Sequence, residues 1–215
     1  MQEPRSHVRT LRGLYAIVDP DWCGGRDPVD VARAILRGGA AALQLRAKRM
    51  DGPTRERLGH ALHELCTTAG VPFYVNDFAE LARRLGADGL HLGQGDMPIA
   101  DARAIVGDDA AIGVSTHSLA QALAAEQAGA DLIGFGPVFA TRTKHNPDPV
   151  VGLTGLSEVC QRVAIPAIAI GGIDTANAHE VAATGAPLAA AIGAVCGAAD
   201  PEAAARTMHR TLTGA

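Results

Sequence analysis

Leu85-Gly86-Ala87-Asp88-Gly89-Leu90-His91-Leu92 holds the pattern from which the fold can be read. A stretch rich in Ala, Leu and charge (residues 78–85) has apolar residues spaced by three and four, which is a helix period. It meets Gly86, a residue that tolerates positive φ and so stops a helix. A short apolar run follows at 89–92. The same passage recurs as Ala128-Gly129-Ala130-Asp131 ahead of the run 132–135.

Outward from these two passages the alternation continues along the chain. Apolar runs lie at 14–18, 42–45, 73–75, 89–92, 111–114, 132–135, 167–170 and 189–192. Helix-like stretches follow them at 28–37, 55–69, 78–85, 100–106, 119–128, 156–162, 177–183 and 201–212. Strands alternating with helices predict a parallel sheet. Eight such units without a long linker predict an α/β fold, a single (β/α)8 barrel of the TIM type spanning residues 1–215. A doubly wound open sheet is the alternative. The chain has 215 residues against the ~250 typical of this barrel, so its loops should be short. The polar segment 1–12 reads as a flexible N-terminal extension.

Composition narrows the function classes. Hydrophobic residues are 47% and charged residues 20%, an ordinary globular balance. The net charge is -4 and no basic stripe marks a nucleic-acid partner. No apolar run reaches the ~18 residues of a membrane span, and no apolar segment near the start resembles a secretory signal. Cys23, Cys66, Cys160 and Cys196 form no CxxC pair, which argues against a zinc or redox motif and for a reducing, cytoplasmic compartment. Assembly into a homo-oligomer is left open.

Active sites of this barrel form at the C-terminal ends of the strands. Strand 2 ends in Gln44-Leu45-Arg46-Ala47-Lys48, and period-two alternation points Gln44, Arg46 and Lys48 the same way. Two cations and an amide on one side suit an oxyanion; a solvated strand end is the plainer reading. Strand 3 ends in Asn76-Asp77, and strand 4 leads to Asp96. Neighbouring strands lie roughly 5 Å apart, so Asp77 and Asp96 can share a hard cation such as Mg2+. Asp77 as the cap of the next helix is the competing reading. Strand 5 ends in Ser115-Thr116-His117-Ser118, where Ser118 is placed to cap a helix. Thr141, Arg142, Thr143 and Lys144 follow strand 6, a loop suited to phosphate. Gly171-Gly172 and Ile192-Gly193 close strands 7 and 8, where this fold recurrently binds phosphate; tight turns alone would also use these glycines. His91, inside strand 4, is either a pocket-floor residue or a satisfied core residue. There is no Walker A sequence, complete GxGxxG or compelling Ser/His/Asp set.

Taken in order, the segments 44–48, 75–77, 89–97, 112–118, 134–144 and 170–173 resemble the thiamine-phosphate synthase family. The resemblance implies a transferase that joins 4-amino-2-methyl-5-hydroxymethylpyrimidine diphosphate to 4-methyl-5-(2-hydroxyethyl)thiazole phosphate, giving thiamine phosphate and pyrophosphate. It implies that the segment Gln44, Leu45, Arg46, Ala47 and Lys48, with Asn76, Ser115 and Lys144, binds the pyrimidine diphosphate. It implies that Asp77 and Asp96 bind one magnesium ion, and that Thr141, Arg142, Thr143, Gly172, Ile192 and Gly193 meet the thiazole phosphate. His91 lies within a matched segment. Arg46, Lys48, Lys144 and Ser115 are the expected catalytic residues. The family usually has Ser where this chain has Gly193, and often an acidic residue where it has Gly95. A thiazole tautomerase using His117, or a non-catalytic phosphate-ligand sensor, are the rival expectations on the same barrel.

Overall fold

A computed structural model of the chain describes residues 5–141, 143 and 148–215. Its eight strands are β1 (Gly13–Val18), β2 (Ala42–Leu45), β3 (Phe73–Asn76), β4 (Gly89–Leu92), β5 (Ala111–Thr116), β6 (Leu132–Phe135), β7 (Ala167–Ala169) and β8 (Leu188–Ala191). They pair in sequence order, all parallel, and β8 pairs with β1 to close a barrel. The expected fold class is the observed one.

Alternation along each strand divides the apolar residues between two layers. Leu14, Ala16 and Val18 of β1 pack outward with Leu43, Leu45, Phe73 and Val75 under the helices. Tyr15, Ala42, Tyr74, Ala111, Leu132, Ile168, Leu188 and Ala190 fill the interior. The Tyr15 and Tyr74 rings meet there at 5.3 Å between centroids. Small partners make room for them: a methyl group at Gly89 would lie 2.2 Å from Tyr74 Cε1.

The helices are α1 (Pro28–Arg37), α2 (Gly52–Ala69), α3 (Ala79–Leu85), α4 (Ile99–Val106), α5 (Leu119–Gln127), α6 (Gly152–Arg162), α7 (Ala178–Ala182), α8 (Gly193–Cys196) and α9 (Pro201–Thr213). Side-chain caps open several: Asp27, Asp51, Ser118 and Asp200 accept from the N–H of Val29, Thr54, Gln121 and Ala203. Each such cap is worth about 1 kcal/mol. Asp51 starts α2 earlier than the sequence suggested, because a proline in the first turn costs no hydrogen bond. The four-residue α8 is too short to leave a periodic trace.

The repeated Asp has one job in both passages. Asp88 accepts from the N–H of Phe73 at 2.8 Å, and Asp131 accepts from that of Ile112 at 2.8 Å. Each carboxylate thus takes up a backbone donor at the start of the neighbouring strand. Residues 6–10 form a 3-10 turn. Its Val8 is 1% exposed and packs against the interior layer, and burying that side chain is what holds the segment.

Candidate active site

The C-terminal ends of the strands surround a cavity of about 440 Å³, within the range of small-molecule sites. Tyr15 and Ile17 reach it from β1, and Gln44, Arg46 and Lys48 from β2 and its exit. Leu45 and Ala47 do not line it: period two turns them outward, and both are buried in the outer layer.

The floor is a directed chain of hydrogen bonds. Tyr15 Oη donates to Gln44 Oε1 at 2.9 Å, and Gln44 Nε2 donates to Asn76 Oδ1 at 2.7 Å. In this chain the Gln44 oxygen faces Tyr15 and its amino group faces Asn76. The Asn76 Nδ2 donor is buried with no protein partner. An unpaired buried donor is costly unless a ligand accepts from it.

Beside this floor the charges are arranged in pairs. Asp19, 1% exposed at the end of β1, holds Arg46 in an ion pair. Lys48 Nζ lies 2.8 Å from Asp77 Oδ2. Burial raises the Asp77 carboxyl above the usual carboxylate range; Lys48 opposes that shift, and the adjacent Asp96 adds to it. Asp96 Oδ2 accepts from the Gly93 N–H at 2.6 Å. Asp77 does not cap α3, whose cap position is Phe78 and has no side-chain bond. Its φ is 66°, a left-handed conformation that Asp tolerates better than most residues. Among the described residues no group of three or more His, Cys, Asp or Glu is placed to hold a metal ion. Two touching carboxylates suit a hard cation that completes its shell with water and phosphate oxygens.

His91 also faces the cavity, and burial pushes its imidazole down to about 4. Its Nε2 is 3.0 Å from Ser115 Oγ, while Nδ1 has no partner, so it is not a satisfied core residue. His117 is tied at both nitrogens: Nδ1 to Gly136 O at 2.5 Å and Nε2 to Asp148 Oδ2 at 3.2 Å. Thr141 and Thr143 line the cavity and bond to each other at 2.9 Å. Arg142 and Lys144 lie outside the described residues.

Gly171 lines the cavity but Gly172 does not. With φ at 69°, Gly172 lets the loop after β7 pass close to residues 139 and 140, where a methyl group would meet Ala140 O at 2.5 Å. Ile192 lines the cavity; Gly193 sits beneath the Trp22 ring. Tyr15, Asp19 and Trp22 are further residues at this mouth that no sequence motif marks. Asp19 alone carries a sequence signal, an acidic residue directly after the first apolar run.

A closed (β/α)8 barrel with cations, carboxylates and an amide floor at its C-terminal mouth defines an enzyme for small anionic substrates. The family model described as thiamine monophosphate synthase matches residues 14–195. The chain belongs to that family. It is 47% identical over 200 residues to a thiamine-phosphate synthase of Anaeromyxobacter dehalogenans, covering 93% of this chain and 87% of that one. It is 45% identical to one of Methanocella arvoryzae, covering 93% and 94%. A thiamine phosphate pyrophosphorylase structure from Pyrococcus furiosus superposes with a TM-score of 0.87 at 37% identity, covering 98% of each chain.

Proposed function

We propose that this enzyme joins 4-amino-2-methyl-5-hydroxymethylpyrimidine diphosphate to 4-methyl-5-(2-hydroxyethyl)thiazole phosphate. The bond between the pyrimidine methylene carbon and the diphosphate oxygen breaks first. The thiazole nitrogen then forms the new carbon–nitrogen bond, and thiamine phosphate and pyrophosphate leave. Family membership supports the overall condensation. The observation that supports diphosphate departure at this end is the grouping of Lys48, Asp77 and Asp96, with Arg46 lining the same cavity.

Loss of pyrophosphate leaves negative charge on the departing group. Arg46 and Lys48 face that charge, and cations fixed in place stabilise it without rearranging in the transition state. Lys144 is assigned to the same task by the resemblance. Asp77 and Asp96 would hold magnesium; the ion, when bound, would supply positive charge to the diphosphate oxygens. Asn76 Nδ2, oriented through Gln44 and Tyr15, offers a donor to an acceptor nitrogen of the pyrimidine ring. Ser115, held by His91, presents its hydroxyl to the same substrate. The thiazole phosphate belongs at Thr141, Thr143 and the Ile192-Gly193 turn. No enzyme nucleophile is needed, because the aminopyrimidine itself stabilises the cation. Holding the two substrates together supplies much of the remaining acceleration.

The isomerase reading asks His117 to carry protons, yet both its ring nitrogens already face acceptor oxygens. Four free cysteines favour a reducing compartment, and we place the enzyme in the cytoplasm. Among the described residues no helix is long and apolar enough to cross a membrane. The test is incubation of purified protein with both substrates and magnesium, following pyrophosphate and thiamine phosphate. Isomerisation of the thiazole without thiamine phosphate would sink the proposal.

A further inference from the structure

Trp22, the single tryptophan of the chain, lies in the loop after β1. Its indole covers Gly193, the first residue of α8. A methyl group at Gly193 would lie 3.0 Å from Trp22 Cε3 and 3.3 Å from Cζ3, inside the ~3.5–4.0 Å at which carbon atoms pack. Gly193 is not among the glycines with positive φ. Its backbone therefore does not call for glycine, and a side chain there would press on the ring above it.

The same loop is fastened to α8 at several other points. Arg26 donates to Cys196 O and, at 2.9 Å, to Ala198 O, while its Nε reaches Cys23 O at 3.0 Å. The buried Cys23 Sγ donates to Asp19 O at 3.4 Å. Cys196 Sγ also reaches Ile17 O of β1 at 3.2 Å. The loop and α8 thus form one packed unit, with the Trp22 ring over the turn that leaves β8.

We propose that Trp22 is a positioning residue that sets affinity for the thiazole phosphate. Its ring clamps the Ile192-Gly193 turn so that backbone N–H groups, and not a side chain at 193, receive the phosphate. This rests on the reading of the preceding subsection, which puts that phosphate at this turn. An array of backbone donors works only when it is held in position beforehand.

The test is steady-state kinetics with magnesium, varying each substrate in turn, on Trp22→Ala, Trp22→Phe, Gly193→Ala and the Trp22→Ala/Gly193→Ala double variant. Trp22→Ala should raise KM for the thiazole phosphate about tenfold, the size of one hydrogen bond to a charged group. KM for the pyrimidine diphosphate should change less than about twofold, because that substrate meets other strands. Trp22→Phe should keep most of the affinity. Gly193→Ala alone should raise the same KM, and should add nothing once the ring is gone. Equal changes in both constants, or additive losses in the double variant, overturn the proposal and leave the synthase reading standing. A wild-type protein without turnover sinks that reading and this proposal with it. Should Trp22→Ala fail to fold by circular dichroism, Gly193→Ala decides, and an unchanged thiazole-phosphate KM overturns the proposal.

Discussion

The Asp19 carboxylate, 1% exposed, pairs with the Arg46 guanidinium, 22% exposed, so the first strand orients the main cation of the second. A guanidinium has five donors in a fixed fork, and a partner on one side decides where the others point. Asp19→Asn keeps the shape but removes the charge. KM for the pyrimidine diphosphate should rise about tenfold, as when a charged hydrogen bond is lost. The thiazole-phosphate KM should stay within about twofold of wild type, since the defect is local. Kinetics with each substrate varied separately would check this; a thiazole-only defect would contradict it.

Asp96→Ala should slow turnover by about a hundredfold or more, the scale seen when a preorganised charge stabiliser is removed. Thiazole-phosphate binding, measured by calorimetry, should be largely intact. Chelation of divalent ions should reproduce the turnover defect in the wild type and add little in the variant. Equal loss of turnover and thiazole binding would contradict the metal assignment.

Tyr15→Phe removes the donor that orients Gln44. The direct loss of stability should be about 1 kcal/mol, measured by urea denaturation. The larger consequence is directional: Gln44 becomes free to turn over, and Asn76 loses its fixed orientation. KM for the pyrimidine diphosphate should rise more than KM for the thiazole phosphate. A variant with wild-type kinetics for both substrates would show that the hydrogen-bond chain does not orient the floor.

His91 gives the fold an acid sensitivity. In the unfolded chain its imidazole takes up a proton below about 6.5, whereas in the fold burial delays this until about 4. Between those values the unfolded state binds more protons, so stability falls as pH falls, by at most about 3 kcal/mol. Above about 6.5 the contribution is level. Urea denaturation at pH 7 and pH 5 should show a smaller drop for His91→Gln than for wild type. Identical drops would place the acid sensitivity elsewhere.

The strand count, the strand order and the parity of Gln44, Arg46 and Lys48 were legible because each rests on local period: 2 along a strand, 3.6 along a helix. The same rule, carried through, would have excluded the side chains of Leu45 and Ala47 from the cavity. The rest depends on contacts that no local period encodes. Asp19 meets Arg46 only because β1 and β2 are neighbours. Trp22 explains Gly193 only because the barrel closes the first unit onto the last. The orientation of Asn76 needs two side chains from two other strands. The left-handed backbone of Asp77 had no signature either, since Asp before a helix reads first as a cap.

The clasp between Arg26 and the end of α8 spans most of the chain, as does the pairing of β1 with β8. During synthesis Trp22 leaves the ribosome early, and its partners near Gly193 and Cys196 follow almost at the end. Until they arrive, β1 presents an unpaired edge open to association with other chains. Translation that stops short of residue 193 therefore yields a chain that lacks these partners for Arg26 and Trp22.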